Sequence, residues 1–262
     1  WGDAYIAQAM QSNQIRFLAL IHRLLGYERH EKAVRRAGDW LVNVQHPEGA
    51  WNWHSYPEGS NEPFGNHALN DAVTPQAMED LFVIWCATGD QRYLQPIERA
   101  AEWILRAQAG PPTYGWADQY DKELKLIWNR STEPAAISEQ AIRAAYRGML
   151  LAYDISGDRR YLGALERVLG WLESVPENQR GYLWYDPDSG LPLDAVDFEM
   201  RPIAQPTGGR KRWYAKHIRQ ALVDRERGPS YWDWRGIRPQ KDFDNVPTIE
   251  EFAAYFNADH HA

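Results

Sequence analysis

The chain has 262 residues, 44% of them hydrophobic and 25% charged, which is typical of a folded globular protein and excludes extended disorder. Its longest apolar run, Leu81 to Ala87, is far shorter than the roughly 20 residues of a membrane helix, and the single Cys86 excludes an internal disulfide and a cysteine-based zinc site. The net charge is −7, and we expect neither a membrane nor a nucleic-acid partner.

Three segments of the sequence align without gaps, at offsets of 63 and 68 residues. A predicted amphipathic helix precedes each segment: Ile15 to Leu25, Ala77 to Ala87 and Ala141 to Ile155. A glycine that is expected to end the helix in a left-handed conformation comes next: Gly26, Gly89 and Gly157. A second predicted helix then carries a tryptophan at an equivalent position: Trp40, Trp103 and Trp171.

A hairpin of this size cannot bury its apolar face alone and must stack on its neighbours. The sequence therefore predicts an all-α fold, an (α/α)3 toroid of three helical hairpins with long aromatic-rich loops and an irregular C-terminal region. We expect one domain over residues 1–262, in which residues 177–262 form a loop-rich basic portion. A straight solenoid is the alternative.

Aromatic residues are abundant, with 13 Trp and 14 Tyr against 7 Phe. Trp and Tyr combine an apolar face with a polar edge, which suits the binding of sugar rings, although a Trp-rich core is the alternative. A Gly-aromatic stretch follows each second helix, and the connectivity places all three stretches at one end of the toroid. The tryptophans expected to form a sugar-binding rim there are Trp51, Trp53, Trp116, Trp128 and Trp184.

Several polar residues near that end are candidates for chemistry. The repeat register aligns Gln8, Asp71 and Glu139 at the entry to each first helix. Asp71 either caps its helix or presents a carboxylate to a cleft as a cation ligand or acid/base group. Asp118 and Asp121 lie in the second aromatic loop. Arg130 and Glu133 form either a structural ion pair or a clamp for a substrate carboxylate.

Other common site patterns are missing from the sequence. Its eight histidines form no H-x-E-x-H or H-E-x-x-H pattern, which gives little support to a His-based zinc site. The sequence also contains no Gly-rich phosphate loop and no G-x-S-x-G motif.

The C-terminal part of the chain is basic. Residues 201–241 contain eleven Lys and Arg against three Asp and Glu and carry +8, whereas the rest of the chain carries −15. This asymmetry indicates an anionic partner. The alternative is a solvated loop whose cations pair with acids elsewhere.

Four segments, in order, resemble family 10 polysaccharide lyases, which are pectate lyases with an (α/α)3 toroid. PEGAWNWHSYP resembles the N-G-G-W-P-Q-x-Y-P loop of that family, and LNDAVTPQAM resembles its F-N-D-x-A-x-x-x-x-M segment. YGWADQYDKELKLIWNRSTEPAAIS resembles W-G-A-Q-Y-D…W-A-R…E-P-P-A-L-S, and DFEMRPI resembles F-Y-E…N-R-P-I. The chain therefore resembles a divergent member of the family.

The resemblance implies Ca²⁺-assisted β-elimination on polygalacturonate or a related acidic polysaccharide. It assigns Arg201 as the base and Asp71 as a catalytic residue and cation ligand, and we expect Asp118 to be a second cation ligand. Arg130 would hold a uronate carboxylate. The other residues expected to bind substrate are Asn70, Trp53, Trp116, Tyr120, Asp121 and Trp128.

The sequence departs from the family pattern in places. The first D-N-x-A-T motif of the family aligns with residues 7–10, which include no carboxylate, and W-A-R is replaced by W-N-R. These departures leave two alternatives to a lyase. One is an inverting glycoside hydrolase that uses Asp71 with Asp118 or Glu139, and the other is a non-catalytic protein that binds uronate polysaccharides.

The resemblance also implies a secreted or periplasmic protein, and we expect a monomer. The chain opens without Met and without a visible signal peptide, so we expect a mature or trimmed form.

Overall fold

The computed structural model describes residues 4–5, 10–55, 67–206, 213–226 and 228. Its helices are α1 (Met10–Leu25), α2 (Glu28–Asn43), α3 (Val73–Thr88), α4 (Leu94–Arg106), α5 (Glu139–Ser156), α6 (Arg159–Ser174) and α7 (Ala215–Asp224). None of these helices is long and apolar enough to cross a membrane.

The helices form the predicted hairpins α1–α2, α3–α4 and α5–α6, which confirms the (α/α)3 toroid. Each hairpin turns at the predicted glycine, because Gly26, Gly89 and Gly157 have φ values of 66°, 68° and 73°. Each glycine N–H also donates to a carbonyl in the last turn of the first helix at 2.7 Å. The left-handed glycines therefore end the first helices as the sequence indicates.

Short strands join the loops at one end of the toroid. They are β1 (Ala4–Tyr5), β2 (His54–Ser55), β3 (His67–Ala68), β4 (Gln119–Tyr120), β5 (Ile137–Ser138), β6 (Trp184–Tyr185), β7 (Pro192–Val196) and β8 (Glu199–Pro202). The antiparallel pairs β1–β2, β3–β4 and β5–β6 each link the segment before a hairpin to the segment after it. The three aromatic loops are thus held at the same end of the fold.

The C-terminal region is more regular than the sequence predicts. Strands β5, β6, β7 and β8 form an antiparallel sheet in that order, and α7 packs on α6. The guanidinium of Arg225 makes a paired contact with Asp154 of α5 at 2.5 and 2.8 Å, and both side chains are buried. This ion pair fixes the end of α7 to the toroid.

Three basic residues of the C-terminal segment pair with acids in the described part of the chain. Arg201 pairs with Glu199, Arg219 with Glu173, and Arg225 with Asp154. These three contacts favour the structural interpretation of those cations. The remaining basic residues of the segment, Lys216 apart, lie outside the described residues: Arg210, Lys211, Arg212, Arg227, Arg235, Arg238 and Lys241.

The first helices meet through a buried cluster of charges. Arg16 of α1, Glu79 of α3 and Arg147 of α5 occupy equivalent repeat positions, at the same offsets of 63 and 68 residues. Glu79 accepts from Arg16 Nη2 at 2.8 Å and from Arg147 Nη2 at 2.5 Å. Desolvation opposes the charge on Glu79, but the two guanidinium groups outweigh it and lower its pKa.

Most of the loop aromatics belong to the core. Trp51 and Trp116 are fully buried, and their Nε1 atoms donate to Leu41 and Ile104 carbonyls at 2.8 Å. Trp53 is also buried, at 6% exposure. Burial leaves these three rings little surface on which a sugar could stack, and their place in a sugar-binding rim stays a prediction.

Candidate functional site

The loop end of the toroid contains a cavity of about 240 Å³ that is shared by several separate segments. Its lining residues are Asn70, Asp71, Asp118, Arg130, Glu133, Ser138, Gln140, Leu183 and Trp184. The charged groups among them are three carboxylates and one guanidinium. Four residues that the sequence assigned to a site, Asn70, Asp71, Asp118 and Arg130, are thus brought together.

Asp71 lies in a left-handed turn directly before α3. Asp71 and Ala72 have φ values of 51° and 57°, a conformation that non-glycine residues rarely adopt. The N-cap position of α3 is Ala72, so Asp71 does not cap the helix. Such backbone outliers concentrate at functional sites, where the surrounding structure holds them. The turn therefore favours the interpretation of Asp71 as a site residue over that of a helix cap.

Asp118 lies just before β4 and ties two loops together. Its backbone carbonyl accepts hydrogen bonds from the N–H groups of Leu69 and Asn70, at 2.9 and 3.2 Å. Its carboxylate Oδ2 accepts from Trp184 Nε1 at 3.5 Å. The residue thus connects the Asp71 turn to the third aromatic loop.

The Asp118 carboxyl group is almost completely buried, at 6% exposure. Burial raises the pKa of this group most, the neighbouring Glu133 and Asp71 carboxylates add to the rise, and hydrogen bonds from Ser138 and Trp184 oppose it; the resulting pKa is about 6. A carboxyl group with this pKa changes its charge near neutral pH. Perturbed groups of this kind are typical of functional sites.

Two buried oxygen atoms at the cavity accept no hydrogen bond from the described part of the chain. Asn70 Oδ1 and Asp118 Oδ1 are buried, and neither has a hydrogen-bond partner among the described residues. Asp71 adds a further carboxylate to the same cavity. Because Ca²⁺ prefers carboxylate and amide oxygens, this donor set fits the cation that the family resemblance implies.

Arg130 lies at the cavity between an acid and an aromatic ring. Its Nη1 is 3.4 Å from Glu133 Oε1, and its Cζ lies 5.5 Å from the centre of the Trp53 ring. The side chain is 61% exposed, so it is open to a ligand. Arg130 and Glu133 therefore form an ion pair at the cavity, and the clamp role for a uronate stays a prediction.

Other residues that the sequence assigned to substrate binding lie elsewhere. Trp116 and Tyr120 are buried at 0% and 1% exposure, so their rings are covered and cannot stack on a sugar in this conformation. Asp121 Oδ1 accepts from the backbone N–H groups of residues 123 and 125 at 2.9 and 2.8 Å, which holds a turn. Trp128 is half-buried and packs near Phe198, with ring centres 5.7 Å apart.

Arg201 is not among the residues that line the cavity. It lies on β8, its side chain is 64% exposed, and its guanidinium contacts Glu199 at 2.5 Å. This contact raises the pKa of Arg201, whereas a catalytic base must lose its proton. The structure therefore places Arg201 in a surface ion pair, and its role as the base stays a prediction.

Two further residues at the cavity, Ser138 and Gln140, were not predicted from the sequence. Ser138 ends β5 and caps α5 by accepting from the N–H groups of Gln140 and Ala141, at 3.1 and 3.4 Å. It is the repeat counterpart of Asn70, at the offset of 68 residues, so the register offered a signal for it. Glu139 is not a lining residue, and Gln8 lies outside the described part of the chain.

A second cavity of about 440 Å³ adjoins the first. Leu183 and Trp184 line both cavities. The second is lined mainly by apolar and aromatic residues: Gly181, Tyr182, Leu183, Trp184, Leu193, Asp194 and Ile203. The half-buried Trp184 therefore stands between a charged cavity and a more apolar one.

Comparison with known proteins shows which fold this is. No family model and no curated protein matches the sequence. The structure is similar to a family 10 polysaccharide lyase from Cellvibrio cellulosa, with a TM-score of 0.65 and 15% identity over 90% of this chain and 82% of that chain. A variant of that lyase, in complex with trigalacturonic acid, gives a TM-score of 0.67 and 16% identity over 85% and 82% of the two chains.

The same helical architecture also occurs in an enzyme of a different class. A D-mannose isomerase is similar over 97% of this chain and 59% of that chain, with a TM-score of 0.54 and 15% identity. At such identities the comparisons establish the fold alone. They confirm the helical toroid and the likeness to family 10 polysaccharide lyases that the sequence motifs indicate.

Proposed function

We propose that this protein is a lyase that cleaves polygalacturonate or a related acidic polysaccharide by β-elimination. The cavity that combines Asp71 and Asp118 with Arg130 carries the proposal, because it offers ligands for both a cation and a uronate carboxylate. The likeness to a lyase solved with trigalacturonic acid supports it. On this proposal the protein acts as a secreted or periplasmic monomer.

The proposed reaction requires the removal of a weakly acidic proton. A base takes the C5 proton of a uronate ring, the C4–O4 bond breaks, and a C4–C5 double bond forms while O4 takes up a proton. Ca²⁺, when bound, would neutralise the uronate carboxylate and so make the C5 proton more acidic. Asn70, Asp71 and Asp118 would hold the cation, and Arg130 would orient the substrate carboxylate.

Arg201 is the proposed base, on the strength of the motif resemblance. Strand β8 belongs to the sheet whose strands β5 and β6 contribute Ser138 and Trp184 to the cavity. To act as the base, the Arg201 guanidinium must leave its contact with Glu199 and approach the substrate. Arg130 is the competing candidate, since it is the arginine among the cavity-lining residues.

The reaction class can be tested directly on purified protein. Incubation with polygalacturonate and Ca²⁺ is expected to generate the ultraviolet absorbance of an unsaturated uronate, and a chelator should abolish it. New reducing ends without this absorbance would contradict the lyase and indicate the hydrolase that uses Asp71 and Asp118. Binding of oligogalacturonate without turnover would indicate a binding protein.

Replacement of the two arginines separates their roles. We expect Arg130→Ala to raise KM for polygalacturonate about 10- to 100-fold, because a hydrogen bond to a charged group is worth about 1.5–3 kcal/mol. Arg201→Lys is expected to abolish turnover and leave oligogalacturonate binding intact, as measured by steady-state kinetics and calorimetry. Arg219→Lys is the matched control, since Arg219 also pairs with a surface glutamate, Glu173. Full activity in Arg201→Lys would remove the base role from Arg201.

A further inference from the structure

A cluster of metal-ligating side chains lies outside the cavity described above. His46, Glu48 and His67 each offer one ligand atom, and these atoms lie within 4.8 Å of one another. His67 Nε2 is 3.2 Å from Glu48 Oε2, and the two imidazole rings are 4.7 Å apart between centres. No histidine motif marks this cluster in the sequence, since His67 follows Glu48 by 19 residues.

The turn that carries His46 and Glu48 is anchored to the next hairpin. Within the turn, His46 N donates to the Ala50 carbonyl and Gly49 N donates to the His46 carbonyl, both at 2.9 Å. Gly49 has a φ of +115°, and a Cβ there would lie 2.3 Å from the Arg99 carbonyl of α4. Such a close approach of the two backbones keeps the turn, and with it two of the three ligands, in a fixed place.

The third ligand is fixed by the sheet and the core. His67 belongs to β3, where it pairs with Tyr120 of β4, and its ring packs 5.8 Å from that of Trp103. The side chain is 1% exposed, and its Nδ1 atom is buried without a hydrogen-bond partner among the described residues. The imidazole is therefore held in a fixed place, with its Nε2 facing Glu48 Oε2 at 3.2 Å.

We propose that His46, Glu48 and His67 bind one transition-metal ion, with Zn²⁺ as the best match. Two imidazole nitrogens and one carboxylate oxygen form a common zinc ligand set, which leaves a fourth position for water. Zinc bonds of about 2.0–2.1 Å place tetrahedral ligand atoms about 3.3 Å apart, close to the 3.2 Å between His67 and Glu48. The Glu48 side chain is 34% exposed, which gives the ion a path from solvent.

This site differs in chemistry and place from the proposed Ca²⁺ site. Its two nitrogen ligands favour Zn²⁺ over Ca²⁺, which prefers oxygen. None of its three residues lines either described cavity. A bound ion would join the turn of the first loop to β3, which leads within three residues to Asn70. The bound ion would thereby fix the start of the Asp71 turn.

Zinc binding can be measured without reference to activity. The protein is stripped with a chelator and titrated with Zn²⁺ by calorimetry, in a background of His260→Ala and His261→Ala because these adjacent histidines can themselves bind zinc. We expect one equivalent of Zn²⁺, a rise in Tm, and the visible absorption of tetrahedral Co²⁺ when cobalt replaces zinc. Addition of Ca²⁺ should not displace the ion.

Two variants that each remove one ligand assign the site. Glu48→Gln and His46→Asn change partly exposed residues and should fold, as circular dichroism would verify. Each is expected to weaken Zn²⁺ binding at least about tenfold and to abolish the Co²⁺ absorption. His217→Asn, at an exposed position of α7, is the matched control and should bind normally.

Two results would overturn the proposal. One is the absence of stoichiometric Zn²⁺ binding, which would leave a plain hydrogen bond between His67 and Glu48. The other is equal binding by Glu48→Gln, His46→Asn and the His217→Asn control. Asp118→Asn should keep its zinc, so failure of the proposed lyase function would not affect this test.

Discussion

Replacement of Glu79 by alanine is expected to destabilise the protein by about 3–5 kcal/mol, because it leaves two largely buried guanidinium groups without their shared carboxylate. The side chains of Arg16, Glu79 and Arg147 are only 12%, 4% and 28% exposed. Loss of one member of a buried ion cluster costs far more than loss of a surface pair. The free energy of unfolding from urea titration at neutral pH measures the effect.

A matched surface variant gives the control for this prediction. Glu102 pairs with Arg160 across α4 and α6, and both side chains are more than one-third exposed. Glu102→Ala should shift the urea midpoint only slightly, since exposed pairs are screened by water. A shift for Glu79→Ala no larger than that of Glu102→Ala would contradict the importance of the buried cluster.

A double variant tests whether the loss of stability in Glu79→Ala arises from a buried charge whose opposite charge has been removed. Arg16 also contacts Asp80, with Nε 3.1 Å from Oδ1, so that pair must be kept. Glu79→Leu combined with Arg147→Met removes one opposite-charge pair and retains Arg16 with Asp80. We expect the double variant to be more stable than Glu79→Ala, because it leaves fewer uncompensated buried charges.

The same cluster shows what the sequence could and could not reveal. The register that predicts the hairpins also aligns Arg16, Glu79 and Arg147, so their equivalence was accessible from the sequence. Their burial was not, because charged positions in an amphipathic pattern are normally assigned to the solvent face. Pairing of opposite charges between neighbouring helices is a tertiary property that periodicity cannot detect.

The burial of the loop tryptophans was also not predictable from the sequence. The sequence located the aromatic loops at one end of the toroid and assigned Trp51 and Trp116 to a sugar-binding rim there, but it did not show that both rings are fully buried. The last four carbonyls of a helix lack partners within the helix. Trp51 and Trp116 satisfy such carbonyls, at Leu41 of α2 and Ile104 of α4, which explains why large rings with a polar edge are used there.

The candidate site was likewise only partly predictable from the sequence. Asn70, Asp71, Asp118 and Arg130 were selected from motifs, and the structure brings them to one cavity. The sequence did not predict the antiparallel sheet that puts Arg201 on an exposed strand. Two-residue strands such as β5 and β6 are too short to give an alternating pattern, so they leave no periodic signal.

Replacement of Asp118 by asparagine is expected to stabilise the cation-free protein at pH 7.5 by roughly 3 kcal/mol. In the folded chain the pKa of this carboxyl group is about 6, against an ordinary value of 3.8. Each unit of difference corresponds to about 1.4 kcal/mol. Because the folded protein disfavours the charged form, ionisation of Asp118 lowers the stability of the fold. Asparagine does not ionise and therefore lacks this penalty.

The stability gained by Asp118→Asn is expected to increase with pH. The folded protein retains the Asp118 proton to a higher pH than the unfolded chain does, so the cost is absent well below pH 3.8, develops as the pH rises to about 6, and is constant above that value. The difference in Tm between Asp118→Asn and the parent should therefore be roughly 6–12 °C at pH 7.5 and should shrink towards pH 4.

The same substitution is expected to abolish Ca²⁺ binding and turnover, because asparagine cannot supply the negative charge that a cation needs. Asp186→Asn is the matched control: Asp186 Oδ1 accepts from backbone N–H groups in an exposed turn, and the variant should change neither Tm nor activity appreciably. A gain in stability together with a loss of function would show that the charged Asp118 serves Ca²⁺ binding and turnover while it lowers the stability of the fold. A loss of stability at pH 7.5 would instead show that the ionised carboxylate supports the fold.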